Sequence, residues 1–110
     1  MKGKEKEKYQ SRFNAVYRIQ FGWCAIADSL NEVAEITELH HTHIHNTKPN
    51  KKRYPLLINS LWNLYGVNHQ FHMANPSWSP SSGRWSLMEC DKRENFLQRH
   101  PMIARSLYAD

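Results

Sequence analysis

At 110 residues and 13.1 kDa the chain holds material for one domain, and with 40% hydrophobic residues its core must be small. No apolar run approaches the roughly 20 residues that cross a bilayer, and Cys24 and Cys90 lie far apart with no C-x-x-C pair, which excludes a four-cysteine zinc knuckle. The net charge of +5 favours polyanionic partners, because Lys and Arg release counterions from phosphates.

Residues 1–12 (MKGKEKEKYQSR) carry five basic and two acidic side chains and little that is apolar, which predicts a flexible basic arm. No apolar segment follows its charges, so a secretory signal is not expected. An intracellular, cytoplasmic protein with two reduced, partly buried thiols follows. Phe13, Val16 and Tyr17, then Trp23, Ile26, Ala27 and Leu30, have helical spacing broken near Gly22, where a hairpin is the other option.

Residues 35–45 (EITELHHTHIH) are rich in Ile, Thr and His and read as a strand. Residues 46–53 (NTKPNKKR) read as a loop with four basic groups. The apolar stretch 54–67 ends in a second short strand. Asn68 is a helix N-cap candidate before HQFHMA, and Pro76 ends that helix early. Residues 77–84 form a turn region. A helix over about 88–99 follows, with Pro101 opening a last short turn. The class is α+β: a single domain over 13–110, with a ββα unit at about 36–76 and a helical tail at about 88–108. Trp62, Trp78 and Trp85 belong to its core.

Six of the seven histidines, His40, His41, His43, His45, His69 and His72, fall between positions 40 and 72. A neutral imidazole ligates metals, and its ordinary pKa near 6.5 suits a general base. Phosphodiester hydrolysis needs a base for water, a group that orients the base, and a cation facing the phosphate. The pair His40-His41, the amide Asn63 and His72 offer all three.

The segments LHHTHIHN and INSLWNLYGVNHQFHM resemble the HNH (His-Me finger) endonuclease family. Its pattern is a histidine pair ending a first strand, Asn-Leu before a second strand, and a final His on the next helix. Here Leu39-His40-His41, Asn63-Leu64 and His72 match it, over about residues 36–76. The resemblance implies a ββα-metal core. It makes His41 the general base and Asn63 the residue that holds the His41 ring or its loop. His40 and His72 become ligands of one divalent cation. It also implies DNA as substrate, cut to leave 3′-hydroxyl and 5′-phosphate ends, in a small phage or mobile-element nuclease such as a homing endonuclease.

Three positions depart from the family. Pro76 stands where many members have a second helix ligand, so two side chains plus phosphate and water would hold the ion. That suits Mg²⁺, with Mn²⁺, Zn²⁺ or Ni²⁺ as other occupants. Asn68 and Phe71 stand where a C-x-x-C pair would be. The gap from His41 to Asn63 is long, filled by a basic loop whose Lys48, Lys51, Lys52 and Arg53, together with His69, are candidate phosphate contacts. Asn59 is the alternative to Asn63. Neighbouring strand residues point to opposite faces, so His40 and His41 share a site only if the strand ends or twists there. His43 and His45 are exposed partners or phosphate contacts. The competing functions are a non-catalytic nucleic-acid-binding module on the same scaffold and a transition-metal-binding protein. A monomer or weak homodimer is expected.

Overall fold

In the computed structural model, which describes residues 3–106, the chain forms six helices and one two-stranded sheet, an α+β arrangement. The described residues fall into two compact units. One takes in the chain up to His40 together with Tyr65–Trp78, the other His41–Leu64 and the chain from Ser79 onward.

Residues 3–12, expected as a flexible arm, open the first helix, α1 (Gly3–Ile19). Lys, Glu, Gln and Arg are strong helix formers, and Tyr9, Phe13 and Tyr17 recur at four-residue spacing. Their rings meet along one helix face, at centroid distances of 6.4 and 6.1 Å. Ala15 and Val16 are buried. The helix stops before Gly22, whose φ of +79° suits a residue without Cβ. A short α2 (Ala25–Ser29) follows, so the break expected near Gly22 separates two helices.

The strands are β1 (Glu38–His41) and β2 (Leu64–Val67). Thr37 N–H donates to Val67 O and Thr42 N–H to Asn63 O, both at 2.9 Å, so the pair is antiparallel. The first strand is shorter than the expected 35–45, for a definable reason. Beyond Thr42, the next two backbone N–H groups, of His43 and Ile44, donate to the Asn63 side-chain oxygen at 2.9 Å each. A side chain thus replaces the ladder, and the strand cannot continue. Upstream, Glu35 keeps only a lone bridge to Trp23.

Within the first unit, Cys24, Ile26, Ala27 and Val67 form the core, with Ala34, Phe71 and Trp78 packed on it. Cys24 caps α2: its sulfur accepts the Ala27 N–H and, at 3.1 Å, the Asn68 N–H. The Gln20 side chain accepts the Gly66 N–H at 2.8 Å and donates to the Gly66 carbonyl at 3.0 Å. α4 (His69–Ala74) is capped as expected, Asn68 Oδ1 accepting the Gln70 N–H at 3.0 Å, and it ends before Pro76.

In the second unit, residues 48–53, expected as loop, form α3 (Lys48–Arg53). Pro49 sits in its first turn, where the missing N–H has no intrahelical role. Ser86 and Glu89 make a capping box that starts α5 (Leu87–Arg99), and Pro101 opens α6 (Pro101–Ser106). The expected tail end at 107–108 and residues 1–2 of the arm lie outside the described residues. Ile44, Tyr54, Leu57, Ile58, Cys90, Leu97 and Ala104 make the core, with Trp62 and Trp85 partly buried against it. The buried Glu94 carboxylate accepts the N–H groups of Leu56 and Leu57 at 3.0 and 2.9 Å, fixing that turn to α5. Both thiols are buried and free, and burial pushes the Cys90 thiol up.

Candidate active site

Alternation along β1 puts Glu38 and His40 on one strand face. The capped start of α4 presents His69 and His72 one turn apart. In the first unit these groups meet. The His40 and His72 rings lie 4.5 Å apart at 59°, with Trp78 6.4 Å from His40. His40 is 8% exposed. Glu38 uses both oxygens: Oε2 accepts from His72 Nδ1 at 2.8 Å, and Oε1 pairs with His69 Nδ1. A carboxylate only accepts, so His72 carries a proton on Nδ1, and in the neutral ring Nε2 is then the nitrogen with the lone pair. Burial alone would raise the Glu38 carboxyl, but the bonds from His72 and His69 outweigh it and hold the group below its ordinary value.

Two adjoining imidazoles, one oriented by a carboxylate, are groups that could contribute two ligands to a divalent ion. Among the described residues no group of three or more His, Cys, Asp or Glu side chains is arranged to hold a metal ion. His69, expected to contact phosphate, is exposed and has its Nδ1 on Glu38.

His41, next in the chain, belongs to the second unit. Its Nε2 lies 3.0 Å from Asn59 Oδ1. With the amide oxygen accepting, the proton is on Nε2 and the basic lone pair on Nδ1. Asn59, the alternative in the sequence, is therefore the amide on the ring. Asn63 is wholly buried and does something else. Its oxygen accepts the His43 and Ile44 N–H groups, and its Nδ2 donates to the carbonyls of Ile44 and Ile58 at 3.0 and 2.9 Å. Those four bonds use its whole hydrogen-bonding capacity. Of the two roles the resemblance implies for Asn63, holding the ring is thus corrected, and bracing the loop after His41 is what its bonds provide.

His43 stacks on Trp85, ring centroids 3.8 Å apart and nearly parallel at 5°, and its Nδ1 accepts the Trp85 N–H at 3.1 Å. Burial, then the nearby Arg93 and Arg84 charges, push its pKa down, with Glu89 opposing. These contacts favour the neutral form of His43, and its ring is held between Trp85 and the backbone. His45 and His100 are exposed.

The expected basic contacts lie together on α3, where Lys48, Lys51, Lys52 and Arg53 are all exposed. Arg53 is committed to Asp91 through two bonds of 3.2 and 2.9 Å, and among the described residues the lysines of that helix make no ion pair. Sequence reasoning missed Glu38 as a partner. The signal was present in its position two residues before His40, on the same strand face. No family model, curated protein or solved structure matches the chain.

Proposed function

We propose that the protein is a metal-dependent endonuclease of the HNH type, built on a ββα-metal core and hydrolysing DNA phosphodiester bonds. The observation that carries the reading is the paired His40 and His72 imidazoles with Glu38 on His72 Nδ1. Basic groups on α3 and the chain's positive charge support a polyanionic substrate.

His40 and His72 would hold one divalent ion, Mg²⁺ being the best match to so few protein ligands. When bound, that ion supplies Lewis-acid stabilisation of charge on the phosphate. His41 takes a proton from water as the water oxygen attacks phosphorus. Asn59, on Nε2, orients the ring. The phosphorus–O3′ bond breaks, leaving a 5′-phosphate, and the departing 3′ oxygen takes a proton from solvent. Asn63 maintains the backbone that follows the base. Lys48, Lys51 and Lys52 contact flanking phosphates.

The test is nicking of supercoiled plasmid with EDTA, Mg²⁺, Mn²⁺ and Zn²⁺ in parallel, for the parent and for His41→Ala. Cleavage that needs a divalent ion and drops about 10²-fold or more without the base is the expected result. Equal cleavage by His41→Ala removes His41 from the role. Binding of plasmid with no cleavage under any ion favours the non-catalytic module.

A further inference from the structure

The second unit carries a run of planar side chains that the proposed chemistry does not use. His43 lies flat on Trp85. The Arg93 guanidinium sits over Trp85 at 4.3 Å and over Trp62 at 5.7 Å. Trp62 adjoins Phe96 at 6.1 Å, and Phe96 adjoins His100 at 4.4 Å. An open cleft of about 410 Å³ lies over the middle of this run, lined by Trp62, Glu89, Lys92, Arg93 and Phe96. That volume falls within the roughly 300–1,000 Å³ typical of ligand sites.

The chemistry of the strip selects its occupant. Aromatic faces and a guanidinium plane stack on flat, electron-rich rings, whereas an aliphatic lipid or side chain gains nothing from the planarity. Lys92 and Arg93 add positive charge beside those faces. The one carboxylate among the described lining residues, Glu89, is engaged by the Ser86 N–H in the capping box. Flat apolar faces alternating with cations match a strand whose bases are unpaired and whose phosphates run alongside. A duplex hides its base faces and offers no such match.

We infer that this strip binds single-stranded nucleic acid, with an unpaired base lying in the cleft against the exposed faces of Trp62 and Phe96 and phosphate at Lys92. The inference rests on the nucleic-acid reading for its ligand class, not on catalysis.

The probe is a fluorescently labelled oligothymidylate, followed by anisotropy in EDTA so that cleavage plays no part. An abasic oligomer of equal length and charge serves as control. Phe96 is 36% exposed and lies outside the core cluster, so Phe96→Ala should keep the fold, checked by circular dichroism. Its expected effect is a loss of about tenfold in affinity for oligothymidylate, the scale of one lost base stack, with binding of the abasic oligomer unchanged. Lys92→Gln should lower the salt dependence of binding by about one phosphate contact. Equal affinity of the parent for the two oligomers overturns the inference, as does an unchanged affinity in Phe96→Ala. So does competition by polyglutamate as effective as that by unlabelled oligothymidylate. Base-dependent binding without plasmid cleavage would leave this inference standing and remove only the nuclease reading.

Discussion

His72 and His43 are both imidazoles in partly buried surroundings, and their neighbours send them in opposite directions. His72 has a carboxylate on Nδ1 and a second imidazole 4.5 Å away. Those neighbours place the proton on Nδ1 and bring negative charge beside the ring. His43 has a tryptophan on its face, a backbone N–H on its Nδ1, and two arginines nearby. Those neighbours suppress positive charge and consume the donor lone pair. The histidine itself carries little information about its role; the sign of the nearest charge and the group on Nδ1 carry most of it.

Breaking the support under His43 should produce the largest effect. Asn63→Ala strips partners from the buried Ile44 N–H, the part-buried His43 N–H and two buried carbonyls, a buried group costing about 1–3 kcal/mol when orphaned. With partial relaxation, a loss of about 3 kcal/mol in the urea unfolding free energy is expected, and a loss below about 1 kcal/mol would show that the loop holds itself. On the His72 side, Glu38→Gln removes the charge while keeping an acceptor. Calorimetric titration with Mn²⁺ should then show affinity lower by about 10-fold to 100-fold, the usual consequence of altering a ligand's outer partner. His72→Ala should abolish that binding, and unaltered binding in either variant would separate His72 from any ion.

The smallest effect concerns pH. The folded pKa of His43 lies below its ordinary value, so the neutral ring is the form that stabilises the fold. That contribution is complete above about pH 6.5 and is lost as pH falls through the lowered folded value. Unfolding midpoints between pH 7.5 and 5 should therefore fall less steeply in His43→Asn than in the parent. Arg93→Gln should move the His43 titration, followed by NMR, part of the way back up, burial and Arg84 accounting for the remainder. No movement would remove Arg93 as a cause.

Features set by local rules were legible in the sequence. The Asn68 cap, the stop before Pro76, the start of α6 at Pro101 and the second strand before Asn68 all follow from backbone chemistry within a few residues. Two segments were misread because polar composition was taken for irregularity. In α1 the Lys and Glu residues are good helix formers, supported by the Tyr9-Phe13-Tyr17 face, and in α3 a proline occupies a first turn. At the candidate site, the crowding of histidines marked His40 and His72, and the resemblance supplied their pairing. Glu38 lay two positions from His40 and was within reach of strand alternation. Choosing between Asn59 and Asn63 was not, because both are asparagines after a long gap. What separates them is burial: Asn63, fully enclosed, must satisfy its amide on backbone, while Asn59, half-buried, can turn its oxygen to a ring.

The carboxamide of Gln20 has one more effect. Val67 faces β1 in the ladder, so the N–H and carbonyl of Gly66 point the other way, along the outer rim of a ribbon only two strands wide. Such a rim is a ready template for a foreign strand. Here both of its pairing groups at Gly66 are already held by Gln20, and an added side chain at Gly66 would strike Ile36 at 2.5 Å. An incoming chain must first dislodge Gln20, and the protection against edge-to-edge aggregation at that point resides in one amide from the end of a neighbouring helix.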